Sequence, residues 1–86
     1  MNPRRSKYEI ISEILAISNT REGVNITKIV YSANLNFKTA QEIINELVNN
    51  CMLEKVDGEE RVKYRTTKKG LEFISKYKSL ESAYNF

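Results

Sequence analysis

The sequence predicts one small, mainly α-helical domain with a single β-hairpin. Four segments carry apolar residues at the three- and four-residue spacing that places them on one face of a helix. Between the last two of these segments, the pair Asp57-Gly58 separates two short runs of β-branched and large apolar residues, which is a strong hairpin signal. A hydrophobic content of 41% favours a folded chain, but 86 residues give only a small core, so we expect oligomerisation to add stability.

The first helix is predicted from a capping box. Residues 6–9 read Ser-Lys-Tyr-Glu, a spacing at which the serine and glutamate side chains each satisfy a backbone donor. The box predicts a helix over about 7–18 with a broad apolar face. Residues 1–5 are predicted to form a mobile basic arm. Its Arg4 and Arg5 side chains can reach phosphates or a minor groove, although short basic termini are more often only solvated.

Two amphipathic helices then meet across a short turn. The first covers 26–33 and ends before Asn34, a residue type that tolerates the left-handed conformation at helix ends. Asn36 is the predicted N-cap of the second, which runs from Phe37 to about Asn50 with Phe37 on its apolar face. A turn of about three residues fits a helix-turn-helix, whose second helix can enter a DNA major groove. A plain helical hairpin fits the same pattern.

The polar face of this third helix is the candidate DNA-reading surface. Lys38 and Thr39 lie near its N-terminus, where base contacts usually originate, and Asn45 lies further along. Glu42 and Glu46 on the same face would repel phosphates, which favours modest affinity, and an ordinary solvated face is the alternative. The predicted recognition residues are Asn36, Lys38, Thr39, Glu42 and Asn45.

The hairpin carries most of the predicted phosphate contacts. Its strands are predicted over 52–56 and 62–66, and in the second strand apolar residues alternate with cations, so one face is apolar and the other basic. Lys and Arg on phosphates supply most sequence-independent affinity for DNA. The hairpin tip holds Glu59 and Glu60, so we place the contact on the flank. The predicted phosphate-contacting residues are Lys55, Arg61, Lys63, Arg65 and Lys68.

The last helix is predicted to mediate dimerisation. Thr67 is its N-cap, and the helix runs from Lys68 to near Tyr84. Gly70 in the first turn lowers helicity and predicts a close approach of backbones. Four residues spaced 4, 3 and 4 apart resemble a coiled-coil seam, and we expect them to form a homodimer interface. They are Phe73, Tyr77, Leu80 and Tyr84. The alternative is a helix that folds wholly onto its own domain.

Composition argues against catalysis. The chain has no histidine and a single cysteine, which removes the commonest general base and any multi-cysteine metal site. No glycine-rich phosphate loop is present. No apolar run approaches the roughly 18 residues that cross a membrane, and no signal-peptide pattern is present. We expect a cytoplasmic protein that is not an enzyme and has no cofactor, metal, small-molecule substrate or membrane partner.

The predicted element order resembles that of the winged helix-turn-helix proteins: helix, short strand at 24–26, helix, turn, helix, strand, hairpin loop, strand, helix. The segments RSKYEII (5–11), TKIVYSANL (27–35) and TTKKGLEFI (66–74) resemble one family. It comprises small archaeal winged-helix DNA-binding proteins, including dimeric chromatin-associated proteins and predicted transcriptional regulators. The resemblance implies dimerisation through the last helix and duplex DNA binding through the third helix and the hairpin, or wing. The chain then divides into the arm at 1–5, the winged helix-turn-helix domain at 6–66 and the dimerisation helix at 67–86.

Two positions depart from that family. Asn36-Phe37 stands where Ser-Tyr is more frequent, which is expected to keep the helix cap and a buried ring. Cys51 replaces a helix-ending glycine, so a less favourable or differently built helix end is expected, with a buried structural role for the thiol.

Three functions follow as hypotheses. The first is double-stranded DNA binding by a transcriptional regulator or minor chromatin protein. The main alternative is a protein-interaction adaptor without DNA binding, which the glutamates of the third helix and the net charge of only +3 favour. A ligand- or redox-responsive switch rests on Cys51 alone.

Overall fold

The described chain consists of four helices and a two-stranded antiparallel sheet. The computed structural model describes residues 5–57 and 61–84, the last of these by its backbone. The elements, in chain order, are α1 (Lys7–Ile17), α2 (Ile26–Ala33), α3 (Phe37–Asn49), β1 (Leu53–Asp57), β2 (Val62–Thr66) and α4 (Lys68–Tyr84). This architecture confirms the predicted mainly helical fold with one hairpin. Arg4, Glu59 and Glu60 lie outside the described residues.

The short strand predicted at 24–26 is reduced to one residue. Val24 forms an isolated antiparallel bridge with Tyr64, in which the Val24 amide donates over 2.9 Å and the Tyr64 amide over 2.7 Å. The next residue, Asn25, already caps α2 by accepting the Lys28 amide at 3.0 Å. Because the helix begins at Ile26, no residues remain to extend the strand.

Local side-chain caps define the helix starts. Ser6 and Glu9 form the predicted capping box, with hydrogen bonds of 3.1 and 2.8 Å. Asn36 accepts the Thr39 amide at 2.7 Å and so opens α3. Thr67 accepts the Gly70 amide at 3.1 Å at the start of α4. Such caps satisfy amides that have no partner inside the helix.

The core lies where α1, α2, α3 and the hairpin meet. Its fully buried side chains include Ile14 and Leu15 of α1, Ile29 of α2, Ile44 of α3 and Leu53 of β1. α4 packs its first turns on this core so closely that a Cβ atom at Gly70 would lie 2.5 Å from the Met52 carbonyl oxygen. The predicted close approach of backbones at Gly70 is therefore confirmed.

Two predictions of burial are wrong. The Phe37 side chain is 57% exposed, because it occupies the first position of α3 and extends beyond the core that the rest of the helix covers. Cys51 is also exposed. It adopts a left-handed conformation with φ of 63° after the end of α3, and the Met52 amide then donates to the Leu47 carbonyl at 2.9 Å. This is a Schellman ending with cysteine where glycine is usual.

Candidate nucleic-acid interface

The turn between α2 and α3 is tightly fixed. Asn34 ends α2 in the left-handed conformation, with φ and ψ both 55°, and the Leu35 amide donates to the Val30 carbonyl at 3.0 Å. Arg5 pairs with Glu13 of α1 and also donates to the Asn34 carbonyl oxygen at 3.3 Å. Arg5, predicted as part of a mobile arm, thus ties α1 to the turn. Its contact with DNA stays a prediction.

The polar face of α3 points away from the core. Ala40, Ile43, Ile44 and Leu47 bury the opposite face. Lys38, Glu42 and Asn45 are exposed, Thr39 is half-buried, and the Asn36 oxygen is already engaged as the helix cap.

Gln41 also lies on this face, although it is not among the recognition residues predicted from the sequence. Its side-chain nitrogen donates to the Asn45 side-chain oxygen at 3.0 Å, which fixes the two amides relative to each other. Their separation of four residues is the signal that would have predicted the pair, because residues at that spacing are neighbours on a helix surface.

One of the two acids on α3 has a cationic partner. Glu46 forms an ion pair with Lys7 of α1, with the Lys7 ammonium nitrogen 3.1 Å from the carboxylate. The pair is exposed, so its contribution to stability is at most about 1 kcal/mol. It nevertheless places a positive charge beside Glu46, which weakens the repulsion that this acid would exert on a phosphate.

The register of the hairpin divides its cations between two faces. Lys55 lies opposite Tyr64, which is 8% exposed, and so shares the side of the sheet that faces the core. Lys63 lies opposite Val56 on the other side, together with Arg65, which lies opposite Glu54. The predicted phosphate-contacting residues therefore do not all share one surface.

Arg65 is the most constrained of these cations. Its Nε atom donates to the Glu54 carboxylate at 2.8 Å, and its Nη1 atom donates to the Arg21 carbonyl oxygen at 3.0 Å. Arg61 and Lys68 are exposed, and Lys63 is half-buried.

The start of α4 is a second basic region. Lys68 and Lys69 are both exposed in its first turn, which contains no acid. Cations at a helix N-terminus are unfavourable because they face the positive end of the helix dipole. An anion at this end of the helix would meet two positive charges and the positive end of the helix dipole.

An apolar groove runs along the later turns of α4. Tyr8 of α1 lies against Phe73, which stacks in turn on Tyr77, and both ring-centroid distances are 6.4 Å. These three rings line the groove together with Leu80 and the stem of Lys76, around a volume of about 450 Å³. The sequence predicted Phe73, Tyr77 and Leu80 as one seam but did not predict Tyr8. The Tyr84 side chain lies outside the described residues.

The groove has acidic neighbours. Partial burial raises the pKa of Tyr77, and the carboxylates of Glu9 and Glu81 raise it further, although the nearby Ser6 hydroxyl opposes them.

Within 5–57 and 61–84, no group of three or more cysteine, aspartate or glutamate side chains could hold a metal ion. None of the helices described is long and apolar enough to cross a membrane.

Comparison with known proteins decides the family. A family model described as winged helix-turn-helix matches residues 4–84. The chain belongs to this family. Within it, α2 and α3 are the helix-turn-helix and the β1–β2 hairpin is the wing. The predicted winged helix-turn-helix fold is thus confirmed.

Relatives of this winged helix-turn-helix chain include archaeal proteins. An uncharacterized protein from Methanocaldococcus jannaschii is 42% identical over 55 residues, which are 64% of this chain and 26% of that protein. The matched residues therefore make up about a quarter of that relative's length.

Solved structures show the same fold. Sso10a-2, a DNA-binding protein from Sulfolobus solfataricus, superimposes with a TM-score of 0.81 and 26% identity, over 94% of this chain and 83% of that one. MepR, a transcription regulator of the Staphylococcus aureus multidrug efflux pump MepA, gives a TM-score of 0.73 over 91% of this chain and 57% of its own. Its identity of 14% supports a common fold alone.

Proposed function

We propose that this chain binds double-stranded DNA, as a transcriptional regulator or a minor chromatin protein, with α3 in the major groove. The observation that carries the proposal is the outer face of α3. Its polar side chains are exposed or half-buried, they follow a fixed turn, and they include Lys38 near the helix N-terminus and the Gln41–Asn45 amide pair. Amide side chains can pair with the major-groove edge of adenine, and lysine with that of guanine. The likeness to the DNA-binding Sso10a-2 adds support.

Phosphate contacts are assigned to the cations that remain accessible. Arg61, Lys63 and Lys68 are exposed or half-buried, and none of them forms an ion pair with another described residue. Arg65 is assigned a smaller share because Glu54 already neutralises it. Lys55 lies on the other side of the hairpin, so it contacts DNA only if the wing lies edge-on to the phosphates.

Salt dependence tests this assignment. Replacing Lys63 with Ala should make the negative slope of log affinity against log salt concentration shallower by roughly 1 for each bound copy, because each copy then releases one fewer counterion from the DNA. The measurement is fluorescence anisotropy of a labelled duplex between about 50 and about 200 mM salt.

The matched control is Lys78→Ala, which removes the same charge from an exposed position on α4, away from the wing. It should leave the slope unchanged. An equal slope change in both variants would show that net charge, and not the wing, governs binding. If the unaltered protein binds no duplex at either salt concentration, the adaptor function, which the exposed Glu42 favours, replaces this proposal.

We also propose that two copies associate through the groove formed by Tyr8, Phe73, Tyr77 and Leu80. Tyr8 is 60% exposed and Leu80 is 48% exposed, which is unusual for large apolar side chains that lie side by side. Two such grooves related by a twofold axis would bury each other's apolar surface.

A further inference from the structure

Phe37 is an exposed apolar side chain that has no part in the proposed function so far. It is 57% exposed and occupies the first residue of α3, next to the exposed Lys38. The Asn36 cap fixes the backbone there, because the Asn36 side chain accepts the Thr39 amide at 2.7 Å and its carbonyl accepts the Ala40 amide at 3.0 Å. The ring therefore lies at the N-terminal end of α3, the helix that the proposed function places in the DNA major groove.

Phe37 also lies in line with the amide pair. Phe37, Gln41 and Asn45 are separated by four residues each, so they follow one another along the same flank of α3. A hydrogen bond of 3.0 Å joins the last two. The flank thus presents an apolar tip followed by two amides to whatever α3 contacts.

The major groove offers one apolar group to such a tip. Among the unmodified bases, only thymine presents a methyl group there, whereas the other base edges present hydrogen-bond donors and acceptors. Resting on the proposed DNA binding, we propose that the Phe37 ring contacts the 5-methyl group of a thymine and makes this protein prefer a T·A pair at that position. The Gln41–Asn45 pair then lies over neighbouring base pairs.

Deoxyuridine tests the contact, because it pairs as thymidine does but lacks the methyl group. A preferred site is first selected from a random duplex library, and each thymine in it is then replaced singly by deoxyuridine. At one position per half-site we expect the affinity of the unaltered protein to fall roughly fourfold, the value for burying one methyl group. Phe37→Ala should bind the thymine duplex more weakly by roughly fourfold for each half-site and show no further loss with deoxyuridine.

Two variants serve as controls. Tyr31→Ala removes an aromatic ring that is 80% exposed on α2, and it should keep the fourfold preference for thymine. Phe37→Leu keeps an apolar tip and should keep most of the preference for thymine.

The outcomes separate this inference from the proposed function. Tight binding with equal affinity for thymine and deoxyuridine at every position would overturn the role of Phe37 and leave DNA binding intact. A thymine preference that persists in Phe37→Ala would overturn it as well. Failure to bind any duplex would overturn both proposals. The comparison of thymine with deoxyuridine in the unaltered protein needs no variant, so it holds even if a substitution impairs folding.

Discussion

At the scale of single residues, Cys51 adopts a conformation that glycine would adopt with less strain. Its φ of 63° places the Cβ atom near the carbonyl oxygen, which costs roughly 1–2 kcal/mol for a residue with a side chain. Glycine removes this strain, but its greater chain entropy stabilises the unfolded state by about 0.4–1 kcal/mol. We therefore expect Cys51→Gly to raise the free energy of unfolding by about 0.5–1 kcal/mol, measured by urea denaturation.

The control at this position is Cys51→Ala, which removes the thiol and keeps the left-handed strain. Because the side chain is exposed, alanine should change the stability by less than about 0.5 kcal/mol. If alanine stabilised the protein as much as glycine does, the gain would come from removing the thiol, and the conformational explanation would fail.

At the scale of elements, Gly70 sets the distance between α4 and the hairpin. A Cβ atom there would lie 2.5 Å from the Met52 carbonyl oxygen and 2.7 Å from the Thr66 Cγ2 atom. Alanine normally stabilises a helix relative to glycine by up to about 1 kcal/mol. Here we expect Gly70→Ala to destabilise the fold by roughly 1–3 kcal/mol, because α4 must move away from the hairpin. Chemical denaturation measures the change.

Ser75→Ala provides the comparison within the same helix. Ser75 is exposed in the middle of α4, so alanine there should be neutral or slightly stabilising through helix propensity alone. A stabilising Gly70→Ala substitution would mean that α4 packs less closely on the hairpin than described.

At the scale of the whole molecule, the groove on α4 predicts the oligomeric state. Leu80→Lys introduces a charge where two copies would meet, so we expect a monomer in place of a dimer of the 10.0 kDa chain. Since Leu80 is 48% exposed, the fold of each copy should persist, as judged by circular dichroism. Sedimentation equilibrium measures the mass.

Leu71→Lys is the matched control for this experiment. Leu71 is 42% exposed on the same helix but does not line the groove, so its substitution should leave the dimer intact. Dissociation by both variants would indicate a general effect of charge on α4, and a monomeric unaltered protein would rule out the proposed interface.

The sequence was most informative where neighbouring residues determine the structure. The caps at Ser6, Asn36 and Thr67 were predictable because each depends on a side chain and an amide three residues away. The exposure of Phe37 was not, because it depends on how far the core extends beneath the first turn of α3. Nor could the sequence place Tyr8 in the α4 groove, since that contact joins opposite ends of the chain.

The candidate site was predictable only in part, because some of its contacts join residues that are distant in the sequence. Periodicity placed Lys38 and Asn45 on the outer face of α3, where the structure has them. Alternation along β2 correctly separated Lys63 and Arg65 from the apolar side. It gave no information on the ion pair that Arg65 forms with Glu54, which depends on the pairing of the two strands.

The single bridge at Val24 also determines where the sheet is open to other strands. Val24 occupies the outer edge of β2 at Tyr64, so in the described part of the chain the longer uncovered edge belongs to β1. An uncovered edge can template aggregation, and short length and charged side chains are the usual protection against it. β1 has five residues, among them Glu54, Lys55 and Asp57. The protein can therefore leave this edge of the wing uncovered and still resist edge-to-edge growth into fibrils.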